Sequence, residues 1–172
     1  MSEEHYDLLI IGAGPGGYVA AIRAAQLGIR VSVVEMRASL GGVCLNEGCI
    51  PSKTLLDSSE LFAMARDKFA NHGIDIEPPR LDLARMMARK DDVVKKLTDG
   101  VAFLFKKNKI TLFSGVARLA GKVGEYHRVE VSGDREGQKQ ILTASRVLLA
   151  TGSSAVEIPF LPFDGETVVN AR

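Results

Sequence analysis

The chain has 172 residues, enough for one domain or slightly more. Its 46% hydrophobic and 25% charged residues are the usual mixture of a globular protein, and a net charge of +1 supplies no broad field for nucleic acid or an anionic membrane. No apolar run has the length of a membrane span, and the opening Met1-Ser-Glu-Glu-His is acidic and polar, unlike a secretory signal, so a cytoplasmic protein is expected.

Tyr6-Asp-Leu-Leu-Ile-Ile-Gly12 reads as a strand buried on both faces, a short apolar run ending in glycine. Gly12-Ala-Gly14-Pro-Gly-Gly17 follows, a Gly-x-Gly-x-x-Gly pattern. The alanine-rich Tyr18 to Leu27 predicts a helix with Gly28 at its C-terminal cap, and Ile29 to Glu35 a second buried strand. That is β-α-β in about thirty residues, the context in which the glycine pattern carries meaning. Gly12 permits the tight turn, Gly14 lets backbone approach a pyrophosphate, and Gly17 lets the helix pack on the strand. The phosphates would sit on the helix N-terminus, where unpaired amides and the dipole favour negative charge. Glu35, eighteen residues after Gly17, suits ribose hydroxyls and repels a 2′-phosphate.

Both cysteines fall next, in Gly41-Gly-Val-Cys-Leu-Asn-Glu-Gly-Cys-Ile-Pro-Ser-Lys53, with four residues between Cys44 and Cys49. Two cysteines are too few for a disulfide-stapled scaffold. His5, His72 and His127 show no ligand spacing, so no metal site is expected. Closing so short a loop stabilises a fold by only about 2 kcal/mol. A close pair on a glycine-rich turn suits thiol–disulfide chemistry, and two unrelated buried thiols are the competing reading on spacing alone.

Cys44 to Phe69 is expected to be helical over much of its length after Pro51, with Ser52 as its cap and Leu55, Leu56, Leu61, Phe62 and Ala65 on its apolar face. Asn71 to Arg80 reads as a loop, and Leu81 to Lys107 as a long helix with Met86, Val93, Val94, Leu97, Val101, Leu104 and Phe105 at helical spacing. Ile110 to Phe113 is a strand. Short strands at Gly115 to Leu119, His127 to Val131 and Gln140 to Thr143 suggest a small antiparallel meander over about residues 115–143, inserted in the parallel fold. His127 reads as an exposed strand residue. Arg146 to Ala150 returns as a buried parallel strand before Thr151-Gly-Ser153, where Gly152 suits close backbone approach.

Together these motifs resemble the N-terminal part of the FAD-dependent pyridine nucleotide–disulfide oxidoreductases, and within that family the dihydrolipoamide dehydrogenase branch. The cysteine segment carries the resemblance, with Leu55-Leu-Asp-Ser-Ser-Glu-Leu61, Met86-Met-Ala-Arg-Lys90, Val101 to Lys109, Ala150-Thr-Gly-Ser153 and Leu161-Pro-Phe-Asp-Gly165. It implies a truncated α/β, Rossmann-like FAD-binding domain over residues 1–153, with residues 154–172 as a linker. Cys44 resembles the thiol that exchanges with the dithiol substrate, Cys49 the thiol nearer the flavin, and Lys53 the lysine beside the flavin ring. FAD contacts are implied at Gly12, Gly14, Gly16 and Gly17, at Glu35, Met36 and Arg37, and at Gly41, Gly42, Val43 and Cys44. Gly115, Ala117, Thr151, Gly152 and Ser153 complete them.

Two positions depart from the family pattern. Val43 replaces a common threonine, and Glu47 replaces an apolar residue, putting a carboxylate near the cysteines that would raise thiol pKa values. No second Gly-x-Gly-x-x-Gly appears. The resemblance therefore leads one to expect that the NAD domain, the second FAD segment and the interface domain with its His–Glu base are missing from this chain, and that the chain is an inactive fragment. In the parent the resemblance implies dihydrolipoamide as substrate, NAD as co-substrate, a homodimer, and a 2-oxo acid dehydrogenase or glycine cleavage complex. The alternatives are a disulfide reductase of the mercuric or glutathione reductase type, and a nucleotide-binding module without turnover.

Overall fold

The computed structural model describes residues 4–133 and 139–170. Residues 1–3, residues 134–138 of the expected meander and the last two residues of the expected linker lie outside the described residues.

Strand β1 (His5–Ile11) leads through a glycine turn into α1 (Pro15–Gln26) and β2 (Val31–Glu35). Two helices follow on the cysteine segment, the short α2 (Gly42–Asn46) and α3 (Cys49–Asp67). A 3-10 turn (Phe69–His72) and an irregular stretch precede α4 (Leu83–Lys107). Then come β3 (Thr111–Ser114), β4 (Val116–Val123), β5 (Tyr126–Ser132) and β6 (Lys139–Leu149).

The strands form one sheet in the order β3-β2-β1-β6-β5-β4. Its first half is parallel, with β1 between β2 and β6 and β3 outside β2. Its second half is antiparallel, β6 to β5 to β4. β1 is buried on both faces, which explains its unbroken apolar run. Ile10 joins a core under α1, α2 and α4 with Ala21, Leu45, Val101 and Phe105, whereas Leu9 and Ile11 join a second core with Val129, Val131 and Leu142. β4 returns against β2, so the antiparallel half curls over the far face of the parallel half and closes that second core.

The expected meander differs in one respect. The strands expected at 140–143 and 146–150 are one eleven-residue strand. Its first part pairs with β5 and its second with β1, overlapping at Thr143 and Ala144. No glycine or proline interrupts the joint, and Leu142, Thr143 and Ala144 are buried there. The meander is therefore a continuation of the same sheet.

Two helix starts also differ. α3 begins at Cys49, ahead of Pro51, and Ser52 is not its cap: the Ser52 amide donates to the Gly48 carbonyl at 3.0 Å. Pro51 falls in the first turn, where its missing N–H costs nothing. α4 begins at Leu83 because Asp82 caps it, its Oδ1 accepting from the Arg85 amide at 3.0 Å. α2 was not anticipated. It is little more than one turn long, bounded by Gly41 at its start and Glu47 at its end.

Candidate functional site

A cleft of about 530 Å³ opens at the C-terminal ends of β1, β2 and β6. Gly12, Gly14, Pro15 and Gly16 of the first turn form its floor, with Glu35, Met36 and Arg37 beyond β2 on one side. Gly42, Val43 and Cys44 of α2 form another wall, and Gly115, Val116 and Ala117 a third. Ala150, Thr151, Gly152 and Ser153, following β6, close the ring. Val116 lies within the expected stretch 115–117, while Ile11, Pro15, Val34 and Ala150 also line the cleft and were not picked out as contacts from sequence; each adjoins in the chain a residue that was.

Four expected site residues lie outside the lining. Gly17 packs α1 onto the turn: a Cβ there would sit 1.8 Å from the Gly12 carbonyl oxygen. Gly41 joins two loops, its amide donating to the Ala13 carbonyl at 2.9 Å. Cys49 and Lys53 are exposed on the first turns of α3, beyond the enclosed part of the cleft.

The cysteine helix is pressed directly onto the glycine turn. Gly42 has φ +58°, and a Cβ on it would lie 2.7 Å from the Gly14 Cα. The Asn46 side chain holds α2 in place, its Nδ2 donating to the Leu40 carbonyl at 3.0 Å and the Gly42 carbonyl at 2.8 Å. Ser39 Oγ donates to Asn46 Oδ1 at 2.6 Å. One wall therefore carries both the phosphate turn and the first cysteine.

Glu35 is buried, and its carboxylate joins these parts. Oε2 accepts from the Ala13 amide at 2.6 Å and Oε1 from the Arg37 amide at 2.9 Å. Each oxygen keeps lone-pair capacity for a ligand hydroxyl. α1 has no side-chain cap, Pro15 has no N–H, and the remaining first-turn amides have no partner within the helix. The residues present fit an adenine dinucleotide: an anion site at a helix end, an acceptor for ribose, and glycines where side chains would fill the space.

Cys44 and Cys49 are free thiols in this structure, Cys44 half-buried and Cys49 exposed. Contact with the Cys49 thiol, and then burial, hold the Cys44 thiol above its ordinary range, while the Lys53 ammonium pulls the other way. Glu47 is not among these influences. Its carboxylate pairs with the Arg37 guanidinium, so the expected effect of Glu47 on the thiols gives way to a clamp between the loop after β2 and the link between α2 and α3. His127 is half-buried on β5, and His5 lies against Tyr126 with its Nε2 at 3.2 Å from Ser145 Oγ. Among the described residues no group of three or more His, Cys, Asp or Glu is placed to hold a metal, and no helix is long and apolar enough to cross a membrane.

Comparison with known proteins agrees with this geometry. The chain is 46% identical over 173 residues to a dihydrolipoyl dehydrogenase of Cupriavidus necator, and 49% identical over 169 residues to dihydrolipoyl dehydrogenase 3 of Pseudomonas aeruginosa. These matches cover 96% and 98% of this chain but 35% of each relative, so the chain spans about a third of their length. The structure superimposes on LpdA from Mycobacterium tuberculosis with a TM-score of 0.82 at 24% identity, over 96% of this chain and 35% of that one, which shows the shared fold. The HOCl-induced flavoprotein disulfide reductase RclA from Escherichia coli aligns with a TM-score of 0.70 at 25% identity, covering 92% of this chain and 31% of RclA. The profile of the pyridine nucleotide-disulphide oxidoreductases matches residues 6–171, and the chain belongs to that family.

Proposed function

We propose that residues 1–153 are the FAD-binding domain of a flavoprotein disulfide oxidoreductase of the dihydrolipoamide dehydrogenase type, with residues 154–172 leading out of it. The observation that carries this reading is the placement of two thiols in mutual contact, one of them on the wall of a dinucleotide cleft. The names of the relatives at 46% and 49% identity support the substrate choice.

In this reading the amides opening α1 hold the pyrophosphate and Glu35 holds the adenosine ribose. Met36, Arg37, Gly42 and Val43 border the same ligand. A substrate thiolate attacks the Cys44 sulfur of a Cys44–Cys49 disulfide; that S–S bond breaks and Cys49 leaves as a thiolate. The second substrate thiolate then attacks the substrate sulfur bound to Cys44. Lipoamide is released oxidised, and the electron pair stays on the two cysteines. Lys53 favours the thiolate form of Cys44 through its charge. FAD, when bound, would supply a two-electron acceptor for that pair, with NAD as the expected final acceptor. The general base for the incoming thiol is assigned by the resemblance to an interface domain outside the stretch shared with this chain. The same source assigns the whole protein a second subunit and the lipoyl group of a 2-oxo acid dehydrogenase or glycine cleavage complex as partners.

The test is alkylation with mass analysis of the native, air-oxidised chain before and after dithiothreitol. Two protected cysteines that become alkylated only after reduction are expected. Two freely alkylated thiols in the oxidised chain would favour a nucleotide-binding module without turnover.

A further inference from the structure

Cys49, Lys53 and Asp57 follow one another at four-residue intervals along α3, on one side of the helix. A lysine and an aspartate at this spacing pair readily with one another. Here they do not: Asp57 Oδ2 lies 2.8 Å from Nη2 of Arg89, on the neighbouring helix α4. The same guanidinium donates through Nη1 to the Thr54 carbonyl at 3.2 Å and to Ser58 Oγ at 3.1 Å. Three acceptors on one turn of α3 therefore converge on Arg89, directly after the turn that carries Lys53. Among the described residues Lys53 has no ion-pair partner.

We propose that Arg89 is a positioning residue for the cysteine pair: by holding Asp57 it keeps the Lys53 ammonium from being captured one turn away and leaves that charge to act on Cys44. The inference rests on the redox reading of the two cysteines. Among the described residues Glu60 on α3 and Arg85, Asp92 and Lys96 on α4 enter no ion pair, but none of them stands one turn from Lys53 on its own helix as Asp57 does. Arg37 pairs with Glu47 beside α2, and on α4 Lys90 pairs with Asp91 and Lys95 with Asp99. Asp57 is thus the carboxylate one turn from Lys53 whose partner decides where Lys53 points. The fork geometry of arginine suits the task, because it meets a carboxylate, a hydroxyl and a carbonyl together, which a lysine in its place does not.

The experiment is the pH profile of iodoacetamide alkylation of Cys44 and Cys49 in the reduced 172-residue chain, read by peptide mass from about pH 6 to pH 10. Wild type is compared with Arg89→Met, Asp57→Asn and the double variant. Arg89→Met should move the profile up by a few tenths of a pH unit, slowing alkylation about twofold at neutral pH, the scale of an exposed helical ion pair. Asp57→Asn should leave the profile in place, and adding it to Arg89→Met should restore the wild-type curve. About 1 M salt should also remove the difference. An unmoved profile in Arg89→Met overturns the proposal. So does a shift that persists in the double variant, which would mark a loosened helix and not a captured lysine. Failure of the redox reading shows separately, as free thiols in the air-oxidised wild-type chain.

Discussion

At the scale of single residues, Glu35 does more than its position in the sequence suggests. The acid at the end of the second strand pointed to ribose. The buried carboxylate also accepts two backbone amides and so holds the turn that makes the cleft. Glu35→Ala should therefore lower the stability of the chain without any ligand, by about 2–4 kcal/mol for two amides left without their acceptor. It should also weaken FAD binding about tenfold or more. Chemical denaturation of the FAD-free chain separates the two effects. Unchanged stability there would refute the backbone role. The Cys44 thiol gives a second test at this scale. Its raised pKa means that the folded state favours the protonated thiol. The associated stability is present below the ordinary thiol value of 9.0 and is lost as pH rises through the folded value. Reduced wild type should lose stability above about pH 9 more steeply than Cys44→Ser in paired denaturation curves. The Arg37–Glu47 pair shows why part of the site was illegible. The two residues stand ten positions apart, on a loop and a helix end whose meeting depends on the whole turn of chain between them.

At the scale of elements, the glycines of the first turn divide into two kinds that their motif does not separate. A Cβ on Gly14 would meet only the Gly42 Cα at 3.8 Å, an ordinary contact, and Gly14 has φ −70°. A Cβ on Gly17 would collide with the Gly12 carbonyl, and one on Gly12 would lie 2.3 Å from the Ala150 carbonyl oxygen. Gly14→Ala should accordingly fold with near-wild-type thermal stability and lose FAD, because the methyl occupies the approach of the pyrophosphate. Gly17→Ala should fail to fold or should melt far lower. Circular dichroism melts with FAD titration distinguish the two, and equal damage from both would show that the close contact at Gly17 is relieved at little cost. Most elements were legible, since the β-α-β period and the α4 spacing depend on local pattern alone. The merging of two expected strands into β6 was not. Nothing between Thr143 and Arg146 ends a strand, and only the partners on either side show that it changes neighbour midway. The early start of α3 was hidden by Pro51, which reads as a boundary yet is tolerated in a first turn.

For the molecule as a whole, the enclosed cleft and the chemistry are displaced from one another. The enclosed part runs from the glycine turn to Cys44, while Cys49 and Lys53 stand on open surface beyond it. On the proposed reading residues 1–172 by themselves would hold the adenosine and pyrophosphate but bury little of a flavin ring, forgoing stabilisation of about 25 cal/mol per Å² of ring surface left open. Apolar side chains stand uncovered nearby: Leu149 at the end of β6 is 59% exposed, and Val156 and Phe160 are 84% and 85% exposed. Surface of this kind favours association, so the chain should scatter light or elute as more than a monomer at high concentration. The imidazoles are placed elsewhere, His5 against Tyr126, His72 in the turn after α3 and His127 on β5, so among the described residues none is placed as a base for Cys44. General-base help contributes about 10²–10⁴-fold, and Cys44 carries a raised pKa without it. We therefore expect residues 1–172 alone to bind FAD more weakly than about 1 μM and to give no measurable NAD reduction with dihydrolipoamide. Calorimetric titration with FAD and a reduction assay followed at the nicotinamide absorbance check both. Submicromolar affinity would mean that the open surface at Lys53 holds the ring better than its exposure implies, and turnover would mean that thiol exchange at Cys44 proceeds without an imidazole.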